Sequence, residues 1–67
     1  MCIVIWNGEE YPAEGRTART VLDRFLTTHP DLRRMPLALF SSGGIELDPQ
    51  DSVWDDDELI LRPRVIH

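Results

Sequence analysis

Six apolar residues in a row, Met1-Cys2-Ile3-Val4-Ile5-Trp6, run directly into Asn7-Gly8. The run is rich in β-branched side chains and reads as a strand. Asn-Gly accepts the two positive φ angles of a type I′ turn, so the strand doubles back at once as a hairpin. Glu9-Glu10-Tyr11 is the returning strand. Pro12 cannot donate to a ladder, so this second strand ends early or lies on an edge. Together with the last strand of the chain, this first strand is the most apolar, as the two central strands of a mixed sheet should be. The opening of the chain therefore requires further strands and something to lie across them.

The rest of the sequence supplies both. Gly15-Arg16-Thr17 leads into one helix, with Thr17 placed to cap it by accepting a hydrogen bond from a first-turn backbone N–H. Ala18, Val21, Leu22, Phe25 and Leu26 recur at steps of three and four, while Arg19, Asp23, Arg24 and Thr27 face water. Pro30 disfavours helical geometry at His29, so the helix stops at about Thr28. Leu37-Ala38-Leu39-Phe40 is a short strand, Ser41-Ser42-Gly43-Gly44 turns it, and Ile45-Glu46-Leu47 pairs back as a small strand. Asp48-Pro49-Gln50-Asp51 makes a turn, with Val53 and Trp54 expected to anchor the loop. Asp55-Asp56-Asp57 turns into a last strand, Glu58-Leu59-Ile60-Leu61-Arg62. The order is β-β-α-β-β-β in one α+β domain over residues 1–67. No repeat, linker or low-complexity stretch interrupts it.

Composition narrows the partners. A chain of 67 residues buries only about 60% of its unfolded surface, so its core is marginal. One cysteine excludes an internal disulfide, and Cys2, His29 and His67 are too few and too scattered to form a zinc site. No apolar run approaches the roughly 20 residues of a transmembrane helix, and no leader pattern opens the chain. The expectation is a cytoplasmic domain without metal or cofactor. All seven cations are arginine, which leaves no lysine to accept an isopeptide bond. Residues 1–40 balance five acids with five arginines; residues 41–67 set seven acids against Arg62 and Arg64 and carry the net charge of −5. That sign repels phosphate backbones and favours a basic protein surface over nucleic acid.

The β-β-α-β-β-β order at this length resembles the β-grasp, a mixed four- to five-stranded sheet packed on one helix. The last residues, Asp57-Glu58-Leu59-Ile60-Leu61-Arg62-Pro63-Arg64-Val65-Ile66, resemble the end of the ubiquitin-like sulfur carriers of thiamin and molybdopterin synthesis. Those proteins run an acidic turn into a buried strand and then a short aliphatic tail ending in Gly-Gly. Ubiquitin is similar at the same strand, and the Asn7-Gly8 hairpin and Gly15-Arg16-Thr17 helix entry also resemble the carriers. The resemblance implies that an E1-like adenylating enzyme activates the terminal carboxylate, with Arg62, Pro63, Arg64, Val65, Ile66 and His67 as the tail it receives. Here Val65-Ile66-His67 stands where a carrier continues into its diglycine. A sequence two residues short, a modifier using another terminal residue, and a β-grasp subunit that binds without covalent chemistry all accommodate that departure.

Strand alternation sorts the remaining candidates. Met1, Ile3, Ile5, Leu37, Leu39, Leu59 and Leu61 are expected to face the helix. Val4, Trp6, Phe40, Ile60 and Arg62 then share the open face of the sheet, a composition that suits a partner-binding hot spot. Asp55, Asp56, Asp57 and Glu58 form an acidic patch for a basic partner; they lack the spaced ligands and central glycine of a calcium loop. His29 has no nucleophile placed beside it and reads as a cation at a helix C-terminus. Cys2 reads as a small core residue. No catalytic constellation assembles, so the expected protein is a partner-dependent non-enzyme. Two functions fit: a sulfur carrier or modifier with tail chemistry, or a non-covalent interaction or regulatory subunit using the same face.

Overall fold

The computed structural model describes residues 1–64. One helix lies across a four-stranded mixed sheet, an α+β arrangement. Strands β1 (Cys2–Trp6) and β2 (Glu9–Ala13) form the hairpin, joined through Asn7 and Gly8 at φ 54° and 82°. Both angles are positive, which is why Asn-Gly stands there. Helix α1 (Ala18–Thr28) follows, then a 3-10 turn (Pro30–Arg34), β3 (Leu37–Ser41) and β4 (Glu58–Pro63). The sheet order is β2-β1-β4-β3, with β1 parallel to β4 and the other pairs antiparallel.

Pro12 sits within β2 opposite Ile3, and β2 is an edge strand. With a two-residue turn, Trp6↔Glu9, Val4↔Tyr11 and Cys2↔Ala13 are the pairs that exchange hydrogen bonds. The missing N–H of Pro12 therefore faces the free edge, where it breaks no ladder bond and blunts the edge against pairing.

Residues 45–47 make less of a strand than expected. Ser41 N–H donates to Ile45 O at 2.8 Å and Leu47 N–H to Leu39 O at 2.9 Å, leaving a single bridge between Phe40 and Glu46. Only three residues separate the Ser42–Gly44 turn from the turn closed by Asp48 and Asp51, too few for a full fifth strand. Trp54 does not anchor its loop either: it is 72% exposed, while Val53 beside it is buried.

The helix start is fully accounted for. The Thr17 hydroxyl accepts from Thr20 N–H at 3.3 Å. Ala18 N–H donates to Asp51 O at 2.9 Å and Arg19 N–H to Pro49 O at 3.1 Å. Every first-turn donor ahead of the Val21→Thr17 bond at 3.0 Å thus has a partner. The apolar stripe of α1 buries Ala18, Val21 and Phe25 against Cys2, Val4, Leu39, Leu59 and Leu61. Val4 and Val21 are 0% exposed and mark the centre of the core.

Gly15 lets the chain enter the helix at close quarters. Its φ is 154°, and a Cβ there would lie 2.9 Å from both Val21 Cγ2 and Val21 N. Gly15→Ala is expected to cost about 1–3 kcal/mol in urea unfolding. Gly43→Ala, where the nearest atom is Ser41 Oγ at 3.8 Å, should change stability by less than about 0.5 kcal/mol. Equal midpoints for the two variants would refute this account of the helix entry.

Candidate functional site

The face of the sheet away from the helix is the candidate site. Its membership follows from register, since residues paired across strands point to the same side. One row reads Glu10, Ile5, Ile60 and Phe40 across β2, β1, β4 and β3. A neighbouring row holds Pro12, Ile3 and Glu58, and on the other side Arg62 pairs with Ala38. Ile3, Ile5, Phe40 and Ile60 are half-buried, with Glu10, Glu58 and Arg62 exposed around them. The Arg62 guanidinium carbon lies 5.5 Å from the centre of the Phe40 ring, a cation–π contact.

Phe40, Ile60 and Arg62 therefore share the open face, but Val4 and Trp6 do not. Val4 is fully buried in the core, and Trp6 packs against the core on the helix side. Ile3 and Ile5 take their places, so the expected sides of β1 are exchanged. An unbroken apolar strand has no period of two to read, and a shift of one residue moves every side chain across the sheet. The informative signal lay in the partner strand. Tyr11 and Ala13 alternate with Glu10 and Pro12, and a two-residue turn locks Val4 opposite Tyr11 and Cys2 opposite Ala13.

At one end of this face β4 leads into the tail. Arg62 and Pro63 are its last residues, and Arg64 N–H donates to Pro36 O. The Arg64 guanidinium meets Glu46 Oε2 at 3.1 Å, an exposed pair of small energetic worth. Val65, Ile66 and His67 lie outside the described residues.

The acidic patch is divided in role. Asp57 Oδ2 accepts from Trp54 N–H at 2.8 Å and closes its own turn, as Asp51 Oδ2 does for Asp48 N–H at 2.9 Å. Asp55, Asp56 and Glu58 stay exposed. Among the described residues no three His, Cys, Asp or Glu side chains group as a metal ion would need, and no helix is long and apolar enough to cross a membrane. His29 closes the helix: its N–H donates to Phe25 O at 3.1 Å and its ring stacks on Phe25 with centroids 4.3 Å apart. Thr28, whose hydroxyl is 3.0 Å from His29 Nδ1, donates that hydroxyl to Phe25 O at 2.8 Å.

Among the described residues two titrating groups are shifted. Burial pushes the Cys2 thiol above its ordinary 9.0, and its Sγ lies 3.3 Å from the Ala13 carbonyl it donates to. The Tyr11 phenol donates to Glu9 Oε2 at 2.6 Å, and that carboxylate holds its pKa above 10.0.

Placing Val4 inside and Ile5 outside predicts opposite responses to one substitution. Ile5→Glu should keep a cooperative thermal transition, whereas Val4→Glu, burying an unpaired carboxylate, should abolish it. Similar transitions in both variants would show the face to be misassigned. The thiol makes a second prediction. A raised folded pKa means its contribution is complete below the unfolded thiol pKa and is lost as pH climbs through the folded value. Stability should thus fall above about pH 9, and Cys2→Ala should remove the thiol's part of that fall while leaving the Tyr11 part. An unchanged slope in Cys2→Ala would remove the thiol from the account.

The chain matches no protein-family model, no curated protein and no solved structure, so its own surface is what speaks to function.

Proposed function

We propose that this chain is a β-grasp, ubiquitin-like protein, a sulfur carrier or protein modifier that presents its C-terminal tail to an E1-like adenylating enzyme. The strand order β2-β1-β4-β3, with residues 45–47 laid beside β3 beyond it, supports the β-grasp reading. One observation supports the tail chemistry above the others. The strand that gives Ile60 to the middle of the open face ends at Pro63, with Arg62 on that face and Arg64 immediately after it. A protein seated on the Ile3, Ile5, Phe40 and Ile60 surface is thereby positioned to receive whatever follows Arg64.

In this reading the chain is a substrate and supplies no catalytic group. The enzyme joins the terminal carboxylate to the α-phosphate of ATP with loss of pyrophosphate. A sulfur nucleophile then attacks the acyl carbon and displaces AMP, leaving a thiocarboxylate or thioester. The face contributes orientation: apolar residues at the centre for docking, and Arg62 at the margin to meet a carboxylate of the partner. Exposed Asp55, Asp56 and Glu58 favour a basic rim on that partner. A single buried thiol suits a reducing, cytoplasmic setting.

Protein isolated from its native cells without reductant, weighed intact, should show a sulfur-for-oxygen exchange at the C-terminus or covalent conjugates that retain this chain. ATP–pyrophosphate exchange by the adenylating enzyme should be lost on deleting residues 65–67. Ile60→Glu should weaken it about tenfold or more, the effect of removing one hot-spot residue. An unmodified mass, with a co-purifying partner that binds the tail-deleted chain equally well, would replace this reading with a non-covalent regulatory subunit.

A further inference from the structure

The charge pattern of the open face carries a second use. Along β4 its side chains read Glu58, Ile60, Arg62: an acid, an apolar residue and a base, with the two charges four residues and about 13 Å apart. Among the described residues neither charge has an ion-pair partner. The guanidinium lies instead over Phe40, poised at the margin of the apolar row.

Such a pattern is complementary to itself. A two-fold axis running along the row of Glu10, Ile5, Ile60 and Phe40 reverses strand direction while keeping the order of strands. It lays Ile60, Ile5 and Phe40 of one copy on the same residues of another. It also brings each Arg62 over the other copy's Glu58, twice over by symmetry, as an isologous interface requires. We infer that, when no other protein occupies it, the open sheet face closes on a second copy of this chain in this antiparallel, face-to-face pair.

The geometry of sheets permits it. Face-packed sheets stand about 10 Å apart, with strands within about 30° of alignment, close enough for the two charged ends of β4 to meet. One contact opposes it: Glu10 of each copy approaches the other at the β2 margin, where water and salt screen the repulsion. The apolar centre is four half-buried residues, smaller than the interfaces of about 1,200–2,000 Å² that hold stable pairs. The pair is therefore weak, with a dissociation constant of roughly 10–1,000 µM. It occupies the face assigned above to the adenylating enzyme, so pairing and docking exclude one another, but it does not depend on any chemistry of the tail.

Sedimentation equilibrium of the full chain from about 10 µM to 1 mM tests it, the range set by that constant. The average mass should rise from 7.7 kDa toward twice that value. Glu58→Arg alone and Arg62→Glu alone each set like charges against one another and should weaken pairing at least tenfold while keeping the parent's circular dichroism. An equal mixture of the two variants restores both contacts, because each arginine of the first then faces a glutamate of the second, and it should pair as the parent does. The double exchange Glu58→Arg with Arg62→Glu should pair as well, and it serves where a single variant folds poorly. A parent that stays monomeric at 1 mM, or a mixture no better than its components, would overturn the inference. Neither result would touch adenylation of the tail, which is read by pyrophosphate exchange on the monomer.

Discussion

The fold hangs on the parallel pairing of β1 with β4, Val4 beside Leu59 and Ile5 beside Ile60. These strands come from opposite ends of the described chain, and a parallel pair cannot be closed by a tight turn. Everything between them must serve as the connection. The hairpin fills the far side of β1, α1 crosses the sheet, and β3 returns to the free side of β4. Because each central strand has a neighbour on both sides, its backbone is satisfied and its side chains decide the two faces. One face takes Val4, Leu59 and Leu61 under the helix; the other keeps Ile5 and Ile60.

The long return from β3 to β4 has a task of its own. It delivers the carbonyls of Pro49 and Asp51 to the free N–H groups of Arg19 and Ala18, and Val53 N–H comes back to Arg16 O at 2.8 Å. Buried polar backbone without partners costs about 1–3 kcal/mol per group, so a helix start lying against this loop would be a weak point if it were unmet. The loop is in this sense the second half of the helix cap, and it ties α1 to the base of β4. A domain with so small a core depends on such accounting as much as on apolar burial.

How much of this was legible depends on whether a side chain or a backbone atom does the work. The hairpin was readable because Asn7-Gly8 has a conformational reason to be there. So were the ends of α1, where Thr17 caps and Pro30 stops. The loop's capping was not, because carbonyl oxygens accept regardless of the side chains they carry. The sides of β4 were readable from the polar Glu58 and Arg62 on one side against Leu59 and Leu61 on the other. Those of β1 were not, since Met1 to Trp6 has no alternation. The hairpin register transfers the assignment from β2 to β1, and Tyr11 and Ala13 then point Val4 and Cys2 inward. Of the candidate site, Phe40, Ile60 and Arg62 could be found from their own strands, whereas Ile3 and Ile5 needed that transfer.

The same distinction bears on why the open face is apolar at all. A sheet with one covered side ordinarily alternates apolar and polar residues, and water satisfies the exposed side. β2 and β4 obey this with Glu10, Glu58 and Arg62; the centre of the face does not. Helix α1 packs only on the opposite side, so Ile3, Ile5 and Ile60 cannot be explained by the core it completes. Their β-branched shape favours the strand, but threonine would serve that preference while remaining compatible with water. Isoleucine at three adjoining positions, with Phe40 beside them and opposite charges at the two ends of β4, makes an apolar surface that the core beneath the helix does not explain. In the function proposed above, contact with another protein surface is what such a face serves, and β4, which places Ile60 on it, leads directly to Arg64.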